Sequence, residues 1–245
     1  MELTGHYAFE LSKFSWSERG GSKAHSLENV NFLIPKGACT TIVGASGAGK
    51  STLLTLLVEK FRLNPSVISS PSPTVVLHHQ DSRLMPWLTI RENLLLEKHS
   101  REHWEFELVC DRLGLTSILA RFPHQVSGGQ RERAALGRSL LGKPDIFLLD
   151  EPLASTDHFL RLQVEDFFGE IVEKTGRTIV VVTHDLTEAI AISDRIIYLF
   201  GDNGVFTSGV VDVPENVRKA QPSKVRQLRD FPKLMADLTN ALSGS

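Results

Sequence analysis

A glycine-rich segment that begins at Gly44 has the residue types and the spacing of a phosphate-binding loop. It reads GASGAGKS, so that Lys50 and Ser51 follow the last glycine directly. Glycines let the backbone curl until its amide groups point at phosphate oxygens, and a helix that starts there adds the positive end of its dipole. In this pattern the lysine binds the terminal phosphates and the serine hydroxyl is a ligand of Mg²⁺. We therefore predict a site for a nucleoside triphosphate with Mg²⁺. Its residues are Gly44, Ala45, Ser46, Gly47, Ala48, Gly49, Lys50, Ser51 and Thr52.

Two adjacent acids follow residues 146–149, an apolar run that is typical of a buried strand. Asp150 and Glu151 therefore stand at the carboxyl end of a strand, where open α/β sheets bind their ligands. We expect Asp150 to hold Mg²⁺ through water. We expect Glu151 to be the general base that polarises the attacking water, a role that contributes roughly 10²–10⁴-fold in rate. Two solvated acids in a turn would be the plain alternative, but the apolar strand leads directly into both.

A second glycine motif, VSGGQ, opens a predicted arginine-rich helix with Ser127, Gly128, Gly129 and Gln130. Free amide groups at such a helix start can also bind phosphate. Taken alone, Ser127 as an ordinary N-cap is the simpler interpretation. The phosphate-binding loop precedes the motif, the acid pair follows it, and His184 comes after a later apolar strand. In this order the segments resemble the nucleotide-binding subunit of an ATP-binding cassette (ABC) transporter, and the resemblance covers nearly the whole chain.

The resemblance implies an ATPase that binds ATP and Mg²⁺ and works as a dimer of two copies or of this chain and a paralogue. Two ATP molecules are then enclosed head to tail. Ser127 and Gly129 of one subunit contact the γ-phosphate of the ATP held by Lys50 of the other. Gln80 matches the glutamine that senses Mg²⁺ and water, and His184 matches the switch histidine that contacts the γ-phosphate. Together with Lys50 and Glu151, these two residues form the expected catalytic set.

Two further assignments follow from the resemblance. The expected Mg²⁺ ligands are Ser51, Gln80 and Asp150. Trp16 is the best match to the aromatic side chain that stacks on adenine. Phe14 competes with it, because strand alternation puts both on one face, and either could instead belong to the core.

Two departures from the family pattern stand out. Ser155 and Thr156 precede Asp157 where the family usually has Ala-Leu, a change that we expect to alter communication across the dimer without removing activity. Only about thirty positions separate Lys50 from Gln80, fewer than is usual in the family. A Pro/Ser-rich loop replaces the usual Gly-rich hairpin there, so we expect a trimmed nucleotide-side sheet.

Residues 81–95 indicate the branch of the family. They read DSRLMPWLTIRENLL and resemble importer subunits of the nitrate, sulfonate and taurine type. This implies membrane permease subunits as partners, a solute-binding protein as an indirect one, and a cytoplasmic location on the inner face of the cell membrane. By the same resemblance, a permease helix docks in a groove near Gln80, Arg83 and Trp87. The alternative is that Pro86 and Trp87 only pack within the subunit.

The alternation of predicted strands and helices favours an α/β fold of the P-loop NTPase type. We expect a mostly parallel sheet flanked by helices, with an antiparallel β edge and an inserted helical subdomain. Residues 1–245 form one ABC ATPase domain in this prediction. Its ATP-binding core spans residues 1–82 and 143–245, its helical signature subdomain residues 83–142, and its C-terminal hairpin and tail residues 201–245. Thr89 and Glu92 are expected to cap the first helix of the subdomain.

Strand patterns cover residues 9–16, 30–34, 40–43, 75–78 and 178–182, and helix patterns cover residues 50–60, 100–113 and 127–141. The 245 residues suffice for a buried core, and the formal net charge of −2 gives no electrostatic reason to expect nucleic acid. The two cysteines, Cys39 and Cys110, form no metal or redox motif, so we expect both to be reduced and buried. The apolar runs are strand-sized and no signal peptide is expected, so any membrane association should run through a partner.

Three other functions compete with an importer ATPase. A soluble ABC ATPase of repair or translation usually carries coiled-coil insertions or two cassettes, and this sequence contains neither. A regulatory or binding subunit that uses ATP only to dimerise stays open because of the change before Asp157, although Glu151 and His184 argue against it. The segment PWLTIREN disfavours an exporter.

Overall fold

The structure, a computed structural model, describes residues 7–17, 26–63, 74–79, 84–96, 103–154, 156–202 and 204–243. Gln80, Arg83 and Ser155 lie outside the described residues, as does the Pro/Ser-rich loop.

One eight-stranded sheet organises the described chain, with the strand order β1-β2-β8-β7-β3-β6-β5-β4. The strands are β1 (Tyr7–Ser17), β2 (Ser26–Pro35), β3 (Cys39–Gly44), β4 (Val75–His78), β5 (Ile146–Asp150), β6 (Thr178–Thr183), β7 (Arg195–Asp202) and β8 (Val205–Asp212). The five strands from β7 to β4 in this order are parallel. β8 pairs antiparallel with β7, and β1 pairs antiparallel with β2. The predicted α/β fold with a mostly parallel sheet and an antiparallel edge is therefore confirmed.

The strand β2 is longer than the residues 30–34 that the sequence indicated. The prediction was too short because a bulge interrupts the alternation of apolar and polar side chains. Asn29 has a positive φ of 51°. The pairing slips at this point, so that Phe14 lies opposite Val30 while Trp16 lies opposite Leu27. β2 then meets β8 through a short parallel pairing that includes Leu27.

Nine α-helices occur among the described residues. They are α1 (Lys50–Leu63), α2 (Ile90–Leu94), α3 (His103–Arg112), α4 (Gly128–Leu141), α5 (His158–Thr175), α6 (Leu186–Ile192), α7 (Glu215–Arg218), α8 (Pro222–Val225) and α9 (Phe231–Ser243). The capping box at the start of α2 is present, since Thr89 and Glu92 exchange side-chain to backbone hydrogen bonds. Asp157 caps α5, and Gly176 ends it in the left-handed conformation that glycine adopts at low cost.

Every residue of β3, β5 and β6 is buried, as expected for parallel strands covered on both faces. Alternate side chains enter two hydrophobic clusters. Leu148 joins the cluster under α1, whereas Phe147 joins the cluster under α4, α5 and α6. The helices α2 and α3 belong to this second cluster as well. Gly137 allows α4 to approach them closely, because a Cβ at this position would lie 3.0 Å from Leu94 Cδ2.

The C-terminal segment folds back onto the core. Arg226, just after α8, donates two hydrogen bonds of 2.8 and 2.7 Å to the carboxylate of Glu165 on α5, whose side chain is fully buried. The helix α9 follows and buries Leu234 and Leu238 in the cluster under α4, α5 and α6. Within the described chain, no helix combines the length and the apolar character needed to cross a membrane.

Candidate functional site

The glycine-rich loop connects the buried strand β3 to the first turn of α1. Its positive φ angles at Gly47 (81°) and Gly49 (84°) are conformations that glycine adopts without strain. Ala48 is buried and anchors the loop, while Ala45, Ser46 and Gly47 are exposed. The loop therefore presents its backbone to solvent at the carboxyl edge of the sheet. Ser51 is exposed beside it and Thr52 is half-buried.

Lys50 extends back across this loop rather than into solvent. Its Nζ donates hydrogen bonds to the carbonyl oxygens of Gly44 (2.9 Å) and Ala45 (3.0 Å). Burial lowers the pKa of Lys50, and the carboxylates of Glu151 and Asp150 act in the opposite direction. The ammonium group is thus held at the mouth of the loop, next to the acid pair. It can exchange these carbonyl contacts for phosphate oxygens.

The acid pair lies where β5 ends. Asp150 is the last residue of the strand, pairs with Val182 of β6 and is 9% exposed. Glu151 leaves the sheet with a φ of 47°, a conformation that is uncommon for a residue other than glycine. Its amide donates a 2.9 Å hydrogen bond to the carbonyl of Val182, which fixes this backbone. Such strained positions concentrate at functional sites.

His184 follows β6 directly and meets Glu151. Its Nδ1 lies 3.2 Å from Oε1 of Glu151. The side chain of His184 is 65% exposed, while that of Glu151 is 25% exposed. A carboxylate beside an exposed imidazole can accept a proton from water and keep the ring oriented. The adjacent Thr183 donates a hydrogen bond to Glu188, where burial raises the carboxyl pKa to about 7.

These residues share one cavity of about 600 Å³. Gly44, Ala45, Ser46, Lys50, Glu151 and His184 supply its polar side. Leu186, Leu199, Phe200, Gly201, Phe206 and Leu242 supply the remainder. Leu242 comes from α9, so the end of this helix reaches the cavity. No pattern in the sequence indicated this contact.

Trp16 lies outside this cavity. It lines a neighbouring cavity of about 350 Å³ together with Leu27 and Asn29. Leu27 connects the two places, since a Cβ on Gly49 would lie 3.4 Å from its Cδ2. The side chain of Leu27 therefore lies between Trp16 and the phosphate-binding loop. Nothing is described of the Phe14 side chain.

The VSGGQ motif begins α4 at the protein surface. The hydroxyl of Ser127 accepts from the amide of Gln130 (3.2 Å), and the side chain of Gln130 accepts from the amide of Ser127 (2.9 Å). This capping box fulfils the simpler interpretation of the motif. Ser127 and Gly128 are nevertheless exposed, and Gly129 and Gln130 are half-buried. Val126 is buried and packs below them.

Two further residues lie on elements that adjoin β5, the strand that carries the acid pair. Arg161 of α5 contacts Asp185, the residue after His184. His78, at the end of β4, lies 3.2 Å from Ser139 of α4, and burial lowers its pKa to about 4, with Arg138 and His79 adding to the effect. His78 is therefore a neutral packing residue. Among the described residues, no cluster of three histidine, cysteine or acidic side chains could hold a metal by itself.

The ABC transporter family profile matches residues 27–154, which include the phosphate-binding loop, the VSGGQ motif and the acid pair. Aliphatic sulfonates import ATP-binding protein SsuB 1 of Shouchella clausii (strain KSM-K16) is 33% identical over 220 residues, which are 89% of this chain and 85% of that protein. Nitrate import ATP-binding protein NrtC of Synechococcus elongatus (strain ATCC 33912 / PCC 7942 / FACHB-805) is 33% identical over 97% of this chain and 37% of that protein. The dimeric ATP-binding cassette MJ0796, solved in a post-hydrolysis state with ADP and Pi, superposes with a TM-score of 0.67 at 26% identity, over 84% of this chain and 98% of that one.

Proposed function

This chain belongs to the ABC transporter family and is an ATPase that binds ATP, and we propose that it drives an importer for a small anion such as nitrate, a sulfonate or taurine. The relatives named for sulfonate and nitrate import support this solute class. The segment PWLTIREN supports the same branch.

One observation carries the catalytic proposal: Lys50, Glu151 and His184 line a single cavity, with the carboxylate 3.2 Å from the imidazole. In the proposed mechanism Lys50 binds the β- and γ-phosphates. Glu151 accepts the proton of the attacking water, and His184 donates to the γ-phosphate oxygens. Because negative charge develops on the transferred phosphoryl group, these preorganised donors stabilise the transition state.

The donor set beside the loop fits Mg²⁺. Ser51 offers a hydroxyl and Asp150 a carboxylate, and hard oxygen ligands are the ones that Mg²⁺ prefers. Gln80 would add an amide oxygen. Bound there, the ion would neutralise charge between the phosphates. Asp150 is nearly buried at the end of β5, at the edge of the sheet where the loop also lies.

We place the signature residues of a second subunit over the same phosphates. Ser127 and Gly128 are exposed at the start of α4, and the cavity of their own chain is lined by none of Ser127, Gly128, Gly129 and Gln130. A head-to-tail dimer would give the amide groups of Gly128 and Gly129 a ligand, and the MJ0796 cassette is a dimer in its post-hydrolysis state with ADP and Pi. Trp16 would stack on adenine at the outer end of the site, since its cavity adjoins the loop through Leu27.

Permease subunits would dock on the surface around Trp87. Trp87 is 70% exposed, Leu96 is 45% exposed and Met85 is 38% exposed, so this part of the sequence exposes three large apolar side chains. Gln80 and Arg83 adjoin it in sequence. Through this contact the chain would lie on the inner, cytoplasmic face of the membrane, and a solute-binding protein would act on the outer side. Trp87 belongs to the proposed helical subdomain, residues 83–142. We propose that this subdomain moves relative to the ATP-binding core when ATP binds.

Membrane association of the full-length tagged chain tests this proposal. We expect wild-type protein to sediment with membranes together with an integral permease subunit, and Trp87→Asp to release it. Val210→Asp is a matched control, because Val210 is an exposed apolar residue at 39% on β8. Equal sedimentation of both variants with the wild type would contradict the docking surface. If the chain binds ATP but neither hydrolyses it nor sediments with a permease subunit, the regulatory alternative is favoured instead.

A further inference from the structure

We infer that Arg161 is a positioning residue for ATP hydrolysis, which holds the loop that carries His184 against the loop that follows Glu151. Arg161 lies in the first turn of α5, and its side chain is 27% exposed. Arg161 is not among the residues that line the cavity with Lys50 and Glu151. Its guanidinium group bridges two separate loops, and both leave the carboxyl edge of the sheet.

The first contact of Arg161 is with the loop between β6 and α6. Nη1 donates a 3.2 Å hydrogen bond to Oδ2 of Asp185, the residue after His184. The other carboxylate oxygen of Asp185 accepts from the amides of Thr187 (2.8 Å) and Glu188 (3.2 Å), which caps α6. The aspartate thus uses one oxygen to start the helix and the other to bind Arg161. The direction in which His184 leaves the strand depends on both.

The second contact is with the loop between β5 and α5. Nη2 lies 3.4 Å from the carbonyl oxygen of Leu153 and 3.5 Å from that of Thr156, at the long end of the hydrogen-bond range. These carbonyls belong to the turn that Glu151 begins. A planar guanidinium fork can serve two loops at once, whereas a lysine ammonium serves one point. Arg161 therefore couples the position of His184 to that of Glu151.

The inference rests on the proposed catalytic roles of Glu151 and His184. A shift of about 1 Å in the placement of reacting groups can cost on the order of 10²-fold in rate. Removing the guanidinium should therefore lower kcat, while the loop that binds phosphate, Gly44 to Lys50 in sequence, keeps its contacts. The expected signature is a loss in kcat with an unchanged KM for ATP.

The experiment measures steady-state ATP hydrolysis by the full-length chain carrying Arg161→Met, Asp185→Asn or both. Asn is as good an N-cap as Asp, so Asp185→Asn retains the start of α6 and removes only the charge that Arg161 binds. Arg112→Met is the matched control. Arg112 ends α3, is 32% exposed and pairs with Glu170 of α5, the helix that also carries Arg161. Like Arg161, it has a buried Nε without a hydrogen-bond partner among the described residues.

We expect Arg161→Met to lower kcat roughly 10- to 100-fold with KM within about twofold of wild type. Arg161→Lys should recover part of the lost kcat. The double variant should have the same kcat as Arg161→Met, because Arg161→Met and Asp185→Asn remove the same contact between Arg161 and Asp185. Arg112→Met should keep kcat within about twofold even if its melting temperature falls equally. Turnover of Arg161→Met within twofold of wild type, a parallel loss in Arg112→Met, or additive losses in the double variant would overturn the inference.

Wild type and Glu151→Gln, assayed alongside, separate this inference from its premise. If Glu151→Gln hydrolyses ATP like the wild type, the proposed catalytic site is wrong, and the role of Arg161 falls with it. If Glu151→Gln is inactive and Arg161→Met is fully active, only the role of Arg161 is wrong.

Discussion

Replacing Arg226 by methionine should destabilise the protein strongly, because it leaves a charge in the core. Glu165 is fully buried on α5, and the two hydrogen bonds from Arg226 are its ion-pair contacts in the described structure. Removing one partner of a buried pair typically costs about 3–5 kcal/mol. The Arg226 side chain is 22% exposed, so water can approach the gap, and we take the lower end, about 3 kcal/mol. For a chain of this size that corresponds to a fall in melting temperature of roughly 6–12 °C.

The loss should depend on pH. Burial raises the pKa of Glu165 above its ordinary value of 4.5, and Arg226 opposes this. Without Arg226 the folded-state pKa rises further. A carboxyl group with a raised pKa favours the folded state most below pH 4.5, and that contribution disappears as pH rises through the folded-state pKa. The deficit of Arg226→Met should therefore be smaller at pH 5 than at pH 7 and should grow as the pH rises further.

Urea unfolding at pH 5 and pH 7, followed by circular dichroism, measures both effects. The control is Arg226→Met combined with Glu165→Met, which replaces the ion pair by apolar side chains and should recover most of the lost stability. A loss below about 1 kcal/mol at pH 7, or an equal loss at both pH values, would refute the reasoning, since either result requires a Glu165 that water already reaches.

Two further predictions concern α6 and α9. Between pH 5 and pH 8 the melting temperature of Glu188→Gln should fall less than that of the wild type. The pKa of Glu188 is raised to about 7, so the wild type loses the stability that the protonated carboxyl contributes as pH rises through neutrality. Parallel curves of melting temperature against pH for the two proteins would contradict this prediction. Leu242→Glu should raise the KM for ATP roughly threefold or more, because it places a negative charge at the cavity that we propose for the triphosphate. Asn240→Glu, an exposed position on the same helix, should leave KM unchanged.

The sequence predicted the elements whose signals are local. Residues 75–78 form the predicted strand without any shift in its bounds. The capping box at Thr89 and Glu92 follows from two side chains three residues apart. The capping box at Ser127 and Gln130 has the same spacing and could have been predicted in the same way. The start of β2 was missed because the bulge at Asn29 breaks the alternation on which the prediction depends.

Features that depend on distant residues had no signal in the sequence. Glu165 and Arg226 are far apart in the chain, and each is an ordinary charged residue in its own segment. The same holds for Leu242, which lines the cavity with Lys50 and Glu151 only because the C-terminal segment folds back. The positive φ of Glu151 is set by its bond to β6, since glutamate has no intrinsic preference for that conformation. Tertiary contacts decide all three.

Hydrolysis of Mg²⁺-ATP by the purified chain over a range of protein concentrations tests the central claim most directly. In the proposed head-to-tail dimer each site needs Ser127 from a second subunit, so specific activity should rise with concentration, and Glu151→Gln should bind ATP without turning it over. Activity independent of concentration down to the nanomolar range, or wild-type turnover by Glu151→Gln, would contradict a catalytic head-to-tail dimer with Glu151 as its base.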